Sequence, residues 1–197
     1  MINIHNHLLP EVDDGPQSQE ETLEIIKVAE EYEVHKIVAT PHYLEGKYEL
    51  KVQAIRKKMK ALNDKLKQNN IRVEILPGNE VFISENIVKK IKEEDILSIN
   101  NSKYILLEIP MGHIPDYLDL LFYDLRVLGY KPIIAHPERN KKVIKNPDIL
   151  YKWVKDGIIF QLNAGSLFGV YGSEVKKTAF ELVDNYLGKK SKEPILF

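Results

Sequence analysis

The stretch "MINIHNHLLPEVDDGP" (residues 1–16) sets two histidines, His5 and His7, at the end of a short apolar run and follows them with a carboxylate doublet, Asp13–Asp14. The run "INIH" (2–5) is short and apolar enough to be a buried strand, which puts His5 at a strand end and His7 just past it. Either carboxylate of "DDGP" can cap a turn or serve as a ligand, because Asp and Asn favour such turns. What these groups do depends on whether later strands carry matching ones.

They do. Five further runs follow: "KIVAT" (36–40), "RVEILPG" (72–78), "YILLEI" (104–109), "KPIIAH" (131–136) and "GIIFQLN" (157–163). Nearly continuous Val/Ile/Leu runs suit strands covered on both faces of a parallel sheet. Between them lie segments of helical period. "SQEETLEIIKVAEEY" (18–32) opens with a capping box, Ser18 with Glu21. Val52, Ile55, Met59, Leu62 and Leu66 form an i, i+3, i+4 stripe. "PDYLDLLFYDLRVLG" (115–129) has Pro in its first turn and Gly at its end, and "SEVKKTAFELVDNYL" (173–187) is a last helix. Strand–helix alternation of this kind predicts an α/β fold with a parallel sheet, open or closed. No low-complexity linker interrupts it, so residues 1–197 are expected to form a single domain.

Composition narrows the chemistry. The 197 residues carry a net charge of -1, which gives no case for nucleic acid. The Lys-rich stretches are mixed with acids and read as solvated helix faces. No apolar run has the length of a membrane span, and no basic-then-apolar leader is visible, so a cytoplasmic protein without membrane insertion is expected. There is no cysteine, which excludes disulfides, thiolate metal sites and a cysteine nucleophile.

The metal-capable residues recur at strand ends. His42 follows the second run, Glu80 the third, Glu108 ends the fourth and His136 closes the fifth, with Arg139 three residues on. In parallel α/β folds the loops after strand C-termini share one face, where active sites are built. Imidazole and carboxylate without thiolate suit Mn, Fe or Zn, and shared carboxylates favour more than one ion. Such a centre can clamp a phosphoryl group, and Arg139 could bind phosphate through a bidentate fork. Glu138 is a candidate to hold that arginine. His35 opens a strand and His113 lies before a helix, so both are expected to be surface or packing residues.

The set "IHNHLLPEVDDGP", "IVATPH", "LPGNE", "YILLEIP" and "PIIAHPERN" resembles the polymerase and histidinol phosphatase (PHP) superfamily. It is most similar to the metal-dependent protein-tyrosine phosphatases of bacterial capsule and exopolysaccharide clusters, from Met1 to about Leu187. The resemblance implies a distorted (β/α)7 barrel and a polynuclear centre, usually of manganese, with Fe, Zn, Co or Mg as alternatives. It implies metal ligation by His5, His7, Asp14, His42, Glu80, Glu108 and His136, with Glu80 bridging and Arg139 contacting the substrate phosphate. The implied reaction is attack by a metal-bridging hydroxide on phosphorus, with tyrosine leaving and no protein nucleophile. The implied partner is the phosphotyrosine tail of a bacterial tyrosine kinase that controls polysaccharide export.

The end departs from this pattern. The family carries a further strand finishing in Asp-x-His, where this sequence reads "GKKSKEPILF" (188–197) with no histidine after His136. On that reading the barrel is incomplete, two ligands are missing and metal occupancy and activity are reduced. "PILF" is then a candidate short strand, and an exposed sheet edge favours a homo-oligomer. Two alternatives follow: a shortened, inactive relative that binds phosphotyrosine or the kinase tail, and a phosphatase for small esters such as histidinol phosphate.

Overall fold

The computed structural model describes residues 1–187. The expected terminal strand "PILF" lies outside the described residues. In chain order the elements are β1 (Ile2–Asn6), α1 (Gln19–Glu31), β2 (Lys36–Ala39), β3 (His42–Tyr43), α2 (Val52–Gln68), β4 (Glu74–Pro77), β5 (Glu80–Phe82), α3 (Ile87–Lys92), β6 (Tyr104–Glu108), α4 (Leu118–Val127), β7 (Lys131–Ala135), α5 (Lys141–Lys145), α6 (Ile149–Lys155), β8 (Ile159–Gln161), α7 (Ala164–Phe168) and α8 (Ser173–Leu187). This is an α/β fold with parallel strands, as the alternation predicts. The chain divides into two compact units: Met1–Phe82 with Lys89–Ile105, and Ile83–Val88 with the chain from Leu106 onward.

In the first unit β1, β2 and β4 lie side by side in that order, both pairs parallel. The α1 N-terminus is the expected cap: Ser18 Oγ accepts from Glu21 N–H at 3.1 Å, while the Glu21 carboxylate accepts from the Gln17 N–H instead. The α2 stripe is buried through Ile55, Met59, Leu62 and Leu66, which pack with Ile37 and Ile75 of the strands. Leu8 and Leu9, directly after His7, are fully buried in the same cluster. The loop that carries the first histidines is therefore anchored by its own apolar neighbours.

Two short strands were not legible in the sequence. After β2 the chain passes Pro41 and restarts as β3; after β4 it passes Gly78–Asn79 and restarts as β5. β3 and β5 pair in parallel with His42 opposite Glu80. Both residues were expected in loops, and pairing across the unit, not local propensity, makes them strand. Gly78 is required at its position, because a Cβ there would come within 2.9 Å of Val38 Cγ1 and 3.2 Å of Thr40 Cγ2.

In the second unit β6, β7 and β8 are neighbours in that order, and β7 pairs with β8 in parallel. Helix α4 stops at Gly129, whose φ of +85° an L side chain rarely adopts. Its buried Phe122 meets Trp153 of α6 edge to face at 5.5 Å. Among the described residues no helix is long and apolar enough to cross a membrane.

β4 ends the order of its sheet, and its outer backbone groups are satisfied by a side chain. Asn63 of α2 accepts from Ile75 N–H at 2.9 Å and donates to Ile75 C=O at 3.0 Å. Removing that amide strands two partly buried backbone groups. Asn63→Ala is therefore expected to lower unfolding stability by roughly 1–2 kcal/mol, read as a lower urea midpoint at unchanged slope; an unchanged midpoint would refute the role.

Candidate metal centre

β1, β3 and β5 deliver the first cluster. One oxygen of Glu80, a residue only 1% exposed, faces three imidazole nitrogens: His7 Nε2 at 2.9 Å, His5 Nε2 at 3.1 Å and His42 Nδ1 at 3.3 Å. His5 Nε2 and His7 Nε2 are themselves 3.2 Å apart. His5, His7 and Glu80 form one group of convergent ligand atoms; His7, Asp14 and His42 form another. Asp14 Oδ1 lies 3.7 Å from His42 Nε2 and 3.6 Å from His7 Nδ1.

The doublet divides its labour. Asp13 is the buried member, and its carboxylate is fully spent. Oδ2 accepts from His7 Nδ1 at 2.8 Å and from the His42 N–H at 2.9 Å, while Oδ1 accepts from the Gly15 N–H at 3.0 Å. Asp14 is the exposed member, its side chain 68% accessible. Sequence reasoning did not find the role of Asp13. A carboxylate on the far ring nitrogen fixes tautomer and orientation, so His7 presents Nε2 towards His5 and Glu80.

Glu80 is set in place by Asn79, which is also buried and also escaped the sequence reading. Asn79 Nδ2 donates to Pro41 C=O at 3.0 Å, and its Oδ1 accepts from Leu97 N–H at 2.9 Å. The Glu80 N–H donates to the same Pro41 carbonyl at 3.2 Å. Tyr48 stacks on the His42 ring, 5.8 Å between centroids.

The electrostatics show a pocket short of positive charge. Burial alone disfavours imidazolium at His7, but the Asp13 and Glu80 carboxylates outweigh it and push the pKa up to about 10. Burial works against the Asp13 carboxylate as well, yet His7 and the backbone N–H groups of His42 and Gly15 hold it below the usual range. At His42 burial prevails and lowers the pKa despite Glu80. A divalent metal fits this donor set. The donors are imidazole and carboxylate, and separations near 3 Å are the edges expected of a coordination shell with bonds of about 2.1 Å.

The second unit holds the other candidates. Glu108 ends β6, and its Oε1 lies 4.0 Å from His136 Nε2. His136 adopts φ 33°, ψ 53°, a left-handed conformation uncommon outside glycine. Its N–H donates to Gln161 C=O of β8 at 2.7 Å, and the chain then turns through Pro137–Arg139. Asn140 closes the turn. It caps α5 through the N–H groups of Lys142 and Val143 and donates to the carbonyls of Pro110 and His113.

Glu138 does not pair with Arg139, as its place in sequence suggested. It is fully buried, and its Oε1 accepts from Asn163 N–H at 2.9 Å and from Ser166 Oγ at 2.7 Å. Burial raises its pKa, against the opposing effect of those two bonds. The guanidinium of Arg139 lies instead over the Tyr171 ring, 4.3 Å from its centroid. His35 and His113 are both exposed, as expected of surface residues, and join no ligand group among the described residues.

The sequence matches the family described as capsular polysaccharide synthesis, CpsB/CapC, over residues 1–188. The chain belongs to this family. It is 39% identical over 187 residues to the CapC protein of Staphylococcus aureus, covering 95% of this chain and 73% of that protein. It is 39% identical over 184 residues to the tyrosine-protein phosphatase YwqE of Bacillus subtilis, covering 93% and 72%. A solved structure from the pair YwqE of Bacillus subtilis and CpsB of Streptococcus pneumoniae, described as unique metal-dependent tyrosine phosphatases, matches with a TM-score of 0.90. That match is 39% identical and covers 93% of this chain and 74% of the other.

Asp13 yields a direct test. Asp13→Asn keeps the shape but exchanges the acceptor that orients His7, and is expected to weaken Mn2+ binding by about 10–100-fold, measured by titration calorimetry. Unaltered affinity in a folded variant would show that His7 needs no such partner.

Proposed function

We propose that this CpsB/CapC-family chain is a metal-dependent tyrosine-protein phosphatase acting on the phosphotyrosine tail of a bacterial tyrosine kinase that controls capsular or exopolysaccharide synthesis. The observation that carries the reading is the meeting of His5, His7 and His42 on one buried oxygen of Glu80. The kinship to proteins named tyrosine-protein phosphatases supports the substrate class. On this reading the protein is a single cytoplasmic phosphatase domain, with its parallel strands belonging to a distorted (β/α)7 barrel of the PHP type. Self-association is part of the same proposal.

His5, His7, Asp14, His42, Glu80, Glu108 and His136 would hold the metal ions. The resemblance to the PHP superfamily points to manganese, and mixed imidazole and carboxylate donors also suit Fe, Zn, Co or Mg. When bound, divalent ions supply Lewis acidity towards the phosphoryl oxygens and lower the pKa of water at the site.

The protein's own residues supply the rest. Asp13 keeps the Nδ1 proton of His7 in place, so that Nε2 stays available. Arg139 would take two phosphoryl oxygens through its planar fork and orient the ester for in-line displacement. Without cysteine there is no thiolate to carry the phosphoryl group. Water then attacks phosphorus directly, the P–O(aryl) bond breaks with its electron pair leaving on the tyrosine oxygen, and the proton that the water gives up ends on that departing phenolate. A phenol of pKa about 10 is a competent leaving group, so the demand on a general acid is lower than for an alkyl ester.

The test is hydrolysis of a phosphotyrosine peptide with Mn2+ against the same protein in EDTA. Turnover is expected only with metal. Glu80→Gln is expected to lose at least about 100-fold, the scale of losing a key electrostatic group, and Arg139→Ala to raise KM. Preference for histidinol phosphate over the peptide would overturn the substrate assignment. Peptide binding without turnover in any of the named metals would mark the chain as a phosphotyrosine binder.

A further inference from the structure

We propose that Tyr171 is a positioning residue for phosphate recognition: its ring holds the Arg139 guanidinium flat and leaves the N–H edge to the incoming phosphate. The inference rests on the reading of Arg139 as the phosphate ligand and names what keeps that ligand in place.

Arg139 stands at the end of a tight turn, and among the described residues no carboxylate forms an ion pair with its side chain. Its neighbour Glu138 is committed elsewhere, to Asn163 N–H and Ser166 Oγ. What Arg139 has is an aromatic face, 4.3 Å from guanidinium carbon to ring centroid. The distinction matters chemically. A carboxylate partner would fix the arginine but consume its donors and neutralise the charge that attracts phosphate. A ring restrains the guanidinium through its face and leaves the five N–H donors at the edge.

The ring is itself restrained. Tyr171 Oη accepts from Asn163 Nδ2 at 3.1 Å. Asn163 Oδ1 accepts from the Gly165 N–H at 3.0 Å, which fixes which end of the amide faces Tyr171. The Asn163 backbone N–H is tied to the buried Glu138 carboxylate. Gly165 lets the chain run close beneath: a Cβ there would lie 3.3 Å from Asn163 Oδ1 and 3.4 Å from Tyr171 Cε2. The path from Glu138 through Asn163 to Tyr171 thus returns to Arg139, the residue next to Glu138. The turn and its arginine are held by one closed ring of contacts, in which the buried Glu138 bonds to Asn163 and Ser166.

The experiment measures inorganic phosphate affinity of the Mn2+-loaded full chain by calorimetry, with KM and kcat for a phosphotyrosine peptide alongside and thermal melting as a folding control. The variants are Tyr171→Leu, Tyr171→Phe, Arg139→Ala and the Arg139→Ala/Tyr171→Leu double. Tyr171→Leu is expected to weaken phosphate and raise KM by about five- to tenfold with a much smaller change in kcat, the scale of a partly desolvated cation–π contact. Tyr171→Phe retains the ring and is expected to recover most of that loss. In the Arg139→Ala background Tyr171→Leu is expected to add nothing. Wild-type phosphate affinity in Tyr171→Leu, with Arg139→Ala impaired, would overturn the proposal and leave Arg139 as the phosphate ligand. An equal loss in both backgrounds would also overturn it, showing that Tyr171 acts through folding. Unchanged phosphate affinity in Arg139→Ala would instead overturn the reading of the arginine, and Tyr171 would fall with it. Should Tyr171→Leu melt early, Tyr171→Met takes its place, keeping the bulk without the aromatic face: weakened phosphate binding there with Tyr171→Phe close to wild type supports the proposal, and wild-type phosphate affinity in Tyr171→Met refutes it.

Discussion

A carboxylate removed from water must be compensated, and Glu80 is the carboxylate this structure has to compensate. The desolvation cost of a buried ion is several kcal/mol and is repaid only by close opposite charge and hydrogen bonds. Three imidazoles stand around one oxygen of Glu80, but imidazole is neutral at ordinary pH unless something raises its pKa. Here something does. Asp13 and Glu80 together keep a proton on His7 far above its ordinary range. A divalent cation held by the same donors would supply that compensation. That is why the cluster reads as a metal centre and not as a set of buried histidines in a core.

The backbone that carries this cluster stops and restarts. The register of β2 with β4 is kept across the breaks, so that Lys36 lies opposite Glu74 and His42 opposite Glu80. Pro41 interrupts the first strand, and Gly78–Asn79 the second. The freed Pro41 carbonyl is then claimed twice, by the Asn79 side chain and by the Glu80 N–H. Gly78 permits the necessary approach to Val38 and Thr40. The breaks interrupt the two strands without altering which residues lie opposite each other, and His42 and Glu80 stay partners across them.

This also explains what was legible beforehand. The six principal strands, the Ser18 cap and the α2 stripe were readable, because each rests on local period or on a side chain bonding to its own helix. β3 and β5 were not, since two- and three-residue strands exist only through a partner distant in sequence. The same distinction divides the site. His5, His7, His42, Glu80, Glu108 and His136 announce themselves by position at strand ends. Asp13 does not, because nothing in "DDGP" tells which carboxylate faces inward; the three hydrogen bonds that spend it come from His7, Gly15 and His42. Glu138 misled for the converse reason. Adjacency to Arg139 suggested an ion pair, but successive residues in a tight turn point apart, and the buried carboxylate found the start of α7.

The two units solve opposite electrostatic problems with the same economy. Around Glu80 the need is surplus negative potential, so the orienting group for His7 is another carboxylate, and the surplus grows as the histidine is fixed. If Arg139 receives the phosphate as proposed, its positive charge has to stay unspent, and a carboxylate would be the wrong tether. A ring that is restrained by a neutral amide gives orientation without neutralisation. Glu138 still contributes its hydrogen-bonding power, but at one remove, through the Oε1 that accepts from the Asn163 N–H and the Ser166 hydroxyl. In each case the group that orients a functional side chain is chosen so that it does not cancel the charge on which that side chain's function depends.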